Sequence, residues 1–84
     1  MNPFSEKVYA IVAKIPLGRT MTYKEVAAAA GRPNAYRAVG NILNQNKDTK
    51  RVPCHRVIRS DGKVGGYIFG EKKKIELLRK EGVI

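Results

Sequence analysis

Two short helices with almost no chain between them restrict this sequence more than any other feature. Thr22-Tyr23-Lys24-Glu25 has the form of a capping box, a hydroxyl followed three residues later by a carboxylate. Val26 and the alanines 27 to 30 continue the helix, and Gly31 suits its left-handed C-terminal cap. Arg32-Pro33-Asn34 reads as a turn, with Pro33 or Asn34 opening a second helix over roughly 34–44. That helix turns Ala35, Ala38, Val39, Ile42 and Leu43 toward a core. Tyr36, Arg37, Gly40, Asn41 and Asn44 are left for another surface. A pair joined this tightly is a helix-turn-helix, whose second helix meets DNA, although plain helical bundles use the same pairing. The small residues Ala35, Ala38 and Gly40 would let this helix approach a partner closely, with Arg37 projecting from it.

The other elements fit around the pair. Residues 4–15 read as an amphipathic helix, with Phe4, Val8, Ile11, Val12 and Ile15 on one face, Ser5 as its cap, and Pro16 and Gly18 ending it. Residues 44–51 are polar and basic and read as a loop. Val57-Ile58 and Lys63-Val64 flank Arg59-Ser60-Asp61-Gly62, and Asp-Gly between apolar pairs is a hairpin signal. A hairpin there would be a wing. Gly65 to Gly70 follow as a loop carrying two aromatics. Glu71–Glu81 reads as a final helix anchored by Ile75, Leu77 and Leu78, ended by Gly82 with Val83 beyond. Lys72-Lys73-Lys74 in its first turns oppose the helix dipole, a choice that a phosphate partner would explain. The expected fold is mainly α, a winged helix-turn-helix with a small β-hairpin wing, forming one domain over 1–84.

Size and charge narrow the function. With 17 Lys+Arg against 7 Asp+Glu the formal net charge is +10, which points to a polyanion, nucleic acid above all. No apolar run approaches a membrane span, and the N-terminus lacks a signal-peptide pattern. One cysteine and one histidine exclude an internal disulfide and a Cys/His zinc site within the chain. A lone thiol fits a reducing, intracellular setting, cytoplasmic or associated with the nucleoid.

That cysteine and that histidine are adjacent, in Val52-Pro53-Cys54-His55-Arg56-Val57-Ile58. A thiol is a strong nucleophile only as thiolate, and a neighbouring base or positive charge makes the thiolate accessible. Arg56 and Arg59 add positive charge. Pro53 restricts its own backbone and biases Val52 toward an extended shape, which places Cys54 at a defined turn. Taken alone, such a pair is more often a buried structural cysteine.

The flanking residues change that weighting. Pro53-Cys54-His55-Arg56-Val57-Ile58 resembles the PCHRV active-site motif of the O6-alkylguanine-DNA alkyltransferases. Met21 to Ala27 is similar to that family's segment with a functional tyrosine, and Arg37-Ala38-Val39-Gly40 to its RAVG recognition-helix motif. Asn46, Gly66-Tyr67 and Glu81-Gly82 fall in matching order, so the resemblance covers nearly the whole chain. It implies a winged helix-turn-helix that flips an alkylated guanine out of duplex DNA and takes the alkyl group irreversibly, each molecule acting once. It implies no metal or organic cofactor, and a monomer acting on double-stranded DNA that contains O6-alkylguanine.

The resemblance also implies roles. Cys54 would be nucleophile and acceptor, with His55 drawing its proton through a water and Glu81 orienting His55. Asn46 would order the loop at the site. Tyr23 would lie near the phosphate of the flipped nucleotide and donate a proton toward the leaving guanine. Arg37 would fill the vacated stack, beside Ala35, Tyr36, Gly40 and Asn41 on the recognition surface. Tyr67 would pack on the base, with backbone groups at Val57 and Ile68 reading its edge. Read singly, Tyr23 is also a plausible core aromatic, Arg37 a solvated charge and Glu81 a helix cap. Members usually carry a further N-terminal domain, which these residues do not match. Ile68-Phe69 replaces a Gly-Gly common after the tyrosine, which would change the alkyl groups that fit. Tyr36 is bulkier than the usual alanine and would change groove contact. The rival reading is a non-catalytic alkyltransferase-like protein that binds the lesion, and Cys54 argues against it. A winged-helix transcription regulator would leave the Cys-His-Glu set unexplained.

Overall fold

The computed structural model describes residues 3–67 and 69–84. Helix α1 spans Pro3–Ala13, strand β1 Met21–Thr22, α2 Tyr23–Ala29, α3 Tyr36–Asn44, β2 Val57–Ile58 and α4 Glu71–Lys80, with a 3-10 turn at Cys54–Arg56 before β2. The fold is mainly helical, as expected.

Helix α1 buries Val8 and Val12, and Ile15 is buried just past its end. It stops two residues short of the 4–15 reading. Lys14 N–H and Ile15 N–H close tighter bonds of 3.1 Å to the carbonyls of Ile11 and Val12. Ile15 precedes Pro16, whose ring disfavours helical backbone in the residue before it. Ser5 does not cap the helix. Pro3 already lies within it, and Ser5 is buried in the first turn.

The capping box of α2 forms as expected. Thr22 Oγ1 accepts from Glu25 N–H at 3.0 Å, and Glu25 Oε1 accepts from Thr22 N–H at 2.9 Å. Its far end is a Schellman motif, with Arg32 N–H bonded to the Ala27 carbonyl and Gly31 N–H to that of Ala28. Gly31 has φ +90°, where a side chain would be strained. Pro33 and Asn34 do not open α3. They occupy a turn closed by Ala35 N–H to the Arg32 carbonyl at 2.9 Å, with Pro33 in the second position that its fixed φ suits. Helix α3 begins only at Tyr36, with Ala35 at its N-cap and no side-chain cap.

The small sheet differs from the expected wing. Strand β2 pairs in parallel with β1, Met21 opposite Val57 and Thr22 opposite Ile58. The Asp61-Gly62 turn exists, with Arg59 N–H bonded to the Lys63 carbonyl at 2.9 Å, but Lys63-Val64 forms no strand. Burial decides between these pairings. Val57 is fully buried and Lys63 is exposed, and the parallel partner keeps Val57 in the core. The pairing also brings the start of α2 beside the Cys54 turn.

Val8, Val12, Ile15, Val26, Ala27, Ala30, Val39, Leu43, Cys54 and Val57 form one apolar cluster. Helix α4 packs on the 3-10 turn through a fully buried Leu78. It ends as α2 does, with Val83 N–H bonded to the Leu78 carbonyl and Gly82 N–H to that of Arg79. This cap fixes Glu81 as the last residue before the reversal.

Candidate active site

Pro53 sets the geometry of Cys54. Its φ of −75° and ψ of 71°, with Cys54 N–H bonded to the Val52 carbonyl at 2.8 Å, make an inverse γ-turn. The next residues wind into the 3-10 turn. Asn46 braces this corner from behind. It is buried, its Nδ2 donates to the Val52 carbonyl at 2.9 Å, and its Oδ1 accepts from Asp48 N–H at 3.1 Å. Its side chain also favours the ionised form of the Cys54 thiol. The 44–51 stretch, polar as it is, is thus tied into the site at Asn46.

Burial pushes the Cys54 thiol above its ordinary pKa, opposed by the Asn46 side chain and by the charge of Lys74. The resting group is therefore a thiol, and attack requires something to take its proton. Neither Arg56 nor Arg59 supplies the expected charge. Arg59 pairs with Asp61 at 2.8 Å, and Arg56 belongs to a different cluster.

That cluster holds His55. Its Nε2 lies 2.7 Å from Glu81 Oε2. Arg56 grips the same carboxylate, Nε to Oε1 at 2.8 Å and a terminal nitrogen to Oε2 at 3.0 Å, while its other terminal nitrogen donates to the Ile15 carbonyl at 2.8 Å. Arg56 first and His55 second hold the Glu81 carboxyl below the ordinary range, against the effect of burial. An ionised Glu81 can only accept, which places a proton on His55 Nε2; in the neutral ring Nδ1 is then the acceptor. Nδ1 is buried and has no hydrogen-bond partner among the described residues.

Tyr23, at the start of α2, is clasped between two glycines. A Cβ on Gly65, which has φ +78°, would sit 3.1 Å from Tyr23 Cε2, and one on Gly40 of α3 would sit 3.9 Å from Cε1. The Tyr23 hydroxyl points to the Gly66 carbonyl at 3.4 Å and accepts from Lys74 Nζ at 3.2 Å. Burial and the neighbouring Cys54 raise its pKa, partly opposed by Arg59.

Tyr23, Leu43, Asn44, Cys54, Gly66 and Tyr67 line one crevice. Its volume is about 10 Å³, close to the space of a single water. Tyr67 stands edge-on to the His55 ring at 6.3 Å, and Phe69 edge-on to Tyr67 at 5.6 Å. The Tyr67 pKa is also raised by burial, then by Cys54. The Val57 side chain faces the core, so this residue can offer the crevice only backbone. Ile68 lies outside the described residues.

A second groove, of about 250 Å³, runs over the crevice side of α3 and is lined by Tyr23, Tyr36, Gly40, Asn41, Asn44, Arg59, Gly65 and Gly66. It gathers Tyr23, Tyr36, Gly40 and Asn41 of the expected recognition surface and adds Arg59. Arg37 and Ala35 do not line it. Arg37 is exposed in the first turn of α3 and makes no hydrogen bond or ion pair among the described residues, and Ala35 is half-buried at the N-cap. Lys24 lies 5.5 Å from the Tyr36 ring.

Two residues gain a place that the sequence reading withheld. Arg56 is the clamp on Glu81, and Lys74 is buried at the site although it was grouped with its exposed neighbours Lys72 and Lys73. The available signal for Lys74 was its position four residues before Leu78, on the face that α4 turns inward.

The described geometry matches a known family. The DNA binding domain of 6-O-methylguanine DNA methyltransferase matches residues 3–83. The chain belongs to this family. A methylated-DNA–protein-cysteine methyltransferase of Methanosarcina barkeri is 49% identical over 78 residues, covering 93% of this chain and 49% of the relative. The Mycobacterium tuberculosis OGT in complex with DNA superposes with a TM-score of 0.93 at 40% identity, over 98% of this chain and 50% of that one. The S. pombe Atl1 in complex with damaged DNA containing O6-carboxymethylguanine superposes at 0.87 with 35% identity, over 98% and 78%. The chain spans about half or less of the length of the curated methyltransferase-family relatives it matches.

Proposed function

We propose that this methyltransferase-family chain repairs O6-alkylguanine in DNA by irreversible transfer of the alkyl group to Cys54. The observation that carries the reading is the His55 ring. One nitrogen is fixed on an ionised Glu81, and the other is buried with no hydrogen-bond partner among the described residues, one residue from a protonated thiol. His55 draws the thiol proton through a water, the thiolate attacks the alkyl carbon in line, and guanine leaves from O6. Tyr23, in the same crevice as Cys54, donates toward the departing base. Asn46 keeps the Cys54 corner in place.

The net charge of +10 and the groove along α3 support DNA as partner. Arg37, exposed in the first turn of α3 and without a hydrogen bond or ion pair among the described residues, fills the stack after the base has flipped. The crevice holds about one water, so base entry requires the Gly66-Tyr67 segment to give way. Tyr67 then packs on the base, with Val57 and Ile68 offering backbone groups. The likeness to Atl1 favours a second reading, a lesion binder that does no chemistry.

Intact-protein mass spectrometry after incubation with a duplex containing O6-methylguanine separates the two. The expected result is a single methyl-sized gain on Cys54 with loss of the lesion, absent in Cys54→Ala. Tight, lesion-selective binding with no mass gain would establish the second reading instead.

A further inference from the structure

Arg56 and Arg59 are near neighbours in the chain and are held in opposite ways. The Arg56 side chain is 15% exposed, and its guanidinium is committed to both Glu81 oxygens and the Ile15 carbonyl. The Arg59 side chain is 54% exposed. Its guanidinium has a single polar contact among the described residues, a terminal nitrogen 2.8 Å from Asp61 Oδ2. Asp61 is itself 44% exposed, and its other oxygen accepts from Lys63 N–H at 3.1 Å. The turn that carries both is closed by Arg59 N–H to the Lys63 carbonyl. An exposed pair of this kind adds little to stability, and a single contact leaves most of the guanidinium's donors open.

The other side of Arg59 is the groove over α3. Of the residues that line it, Arg59 alone carries a charge, and Asp61 is not among them. The rest of the lining is the Tyr23 and Tyr36 rings, the carboxamides of Asn41 and Asn44, and the bare backbone of Gly40, Gly65 and Gly66. One cation among neutral hydrogen-bonding groups, in a space of about 250 Å³, suits a run of sugar and phosphate. A Cβ on Gly65 would sit 3.2 Å from Arg59 Cγ, so the arginine stem lies against this glycine. From that seat the guanidinium borders both Asp61 and the groove.

We propose that Arg59 grips a phosphate of the DNA strand lying along α3, and that Asp61 is a built-in stand-in for that phosphate, released when DNA binds. This rests on the reading of DNA as partner above. A carboxylate and a phosphate offer a guanidinium the same kind of oxygen pair, so one can replace the other on the fork. The exchange keeps the cation paired in both states and sacrifices only a weak contact. Asp61 keeps its bond from Lys63 N–H after release, so the turn survives. The carboxylate also sets the hold on ordinary duplex below what the arginine alone would give. A protein that must search much undamaged DNA gains from such a grip, because weak phosphate contacts let it move along the strand.

The test measures the affinity of the full chain for a short unmodified duplex between about 50 mM and about 200 mM salt. Arg59→Gln should weaken binding by about tenfold at the low-salt end and make the salt slope shallower by up to about 0.9. Asp61→Asn removes the charge and keeps an oxygen for Lys63 N–H. It should tighten binding by about fivefold, the upper end of what an exposed pair supplies, and steepen the salt slope. Glu76→Gln removes a negative charge from an exposed position on α4 outside the groove, and should tighten binding by less than about twofold. In the Arg59→Gln background the gain from Asp61→Asn should shrink to that of Glu76→Gln. The Asp61 carboxyl, followed by carbon NMR, gives a readout independent of affinity. Lys63 N–H first, and Arg59 with it, hold this carboxyl below the ordinary range in the free chain, and its pKa should rise when duplex is bound.

Arg59→Gln affinity within about twofold of wild type, with an unchanged salt slope, would overturn the proposal. Equal gains from Asp61→Asn and Glu76→Gln would do the same, since net charge alone would then account for both. An Asp61 pKa that does not rise on the duplex refutes the release. Should Arg59→Gln fail to fold, the comparison of Asp61→Asn with Glu76→Gln and the Asp61 titration decide alone. A wild-type chain with no salt-dependent binding to duplex removes the reading of DNA as partner, and this proposal with it. Wild-type binding that Arg59→Gln leaves intact removes only the grip.

Discussion

The two halves of the molecule are held together by different means. Helices α1 to α3 meet through Val8, Val12, Val26, Ala27, Val39 and Leu43, all apolar, with Ser5 the one buried polar side chain there among the described residues. From Asn46 onward the buried set also includes Asn46, His55 and Lys74, each polar and each assigned to a partner. Apolar contacts are interchangeable within limits of volume, whereas a buried polar group needs its own partner at its own place. The first half is built to tolerate change and the second to keep a few atoms fixed. Substitutions of the buried apolar residues in the first should therefore lower stability and leave the folded protein's chemistry alone, whereas substitutions of the buried polar groups in the second should disturb the chemistry as well.

Leu43→Ala tests the apolar half most severely. It should lower the free energy of unfolding by about 3 kcal/mol in urea titrations. Leu43 also borders the crevice. A change in iodoacetamide reactivity of Cys54 at temperatures where the variant is folded would blur the division.

Arg56→Met strikes the polar half. It should lower stability by about 2 kcal/mol, through the stranded Glu81 carboxylate and the Ile15 carbonyl, and slow alkyl transfer by more than that loss explains. Acid provides a second readout. Because Glu81 titrates below the ordinary carboxylate range in the folded state, its stabilisation is complete above about pH 4.3 and is lost as pH falls through its lower folded value. Without Arg56 that loss should begin at higher pH, visible by circular dichroism. An unchanged acid transition would mean that the clamp does not hold Glu81.

Gly65→Ala should cost roughly 1–2 kcal/mol, from its positive φ and from the push on Tyr23. The displaced Tyr23 ring should appear as shifted aromatic NMR resonances. Thr22→Ala removes the α2 cap and should cost about 1 kcal/mol with transfer intact. A strong loss of transfer there would show that the seating of Tyr23 depends on the cap, and would join the two halves at β1.

The same division explains what could be read from the sequence. The apolar face of α1, the capping box of α2 and the glycine stops after α2 and α4 rest on local rules of spacing and backbone freedom. The motif at Pro53-Cys54-His55 points to the corner of the candidate active site, and the family likeness places Glu81 beside His55. Arg56 was read as a charge near the thiol because nothing local tells that its guanidinium reaches residues 41 positions before and 25 after it. Lys74 was hidden in a run of three lysines, two of which are exposed. The hairpin failed for a related reason. Asp61-Gly62 did form its turn, but the partner of β2 was chosen by the burial of Val57, a demand set by the whole core.

Pro16 has a consequence beyond stopping α1. In a continuing helix the Ile15 carbonyl would accept from Arg19 N–H. Here Arg19 N–H goes to the Pro16 carbonyl at 3.1 Å, and the Ile15 oxygen receives Arg56 instead. The length of the first helix thus sets an anchoring point for the group that holds Glu81 and, through it, His55. Adding a turn to α1, a change that secondary-structure propensity alone would welcome, would withdraw that oxygen and leave the His55 pair adjustable.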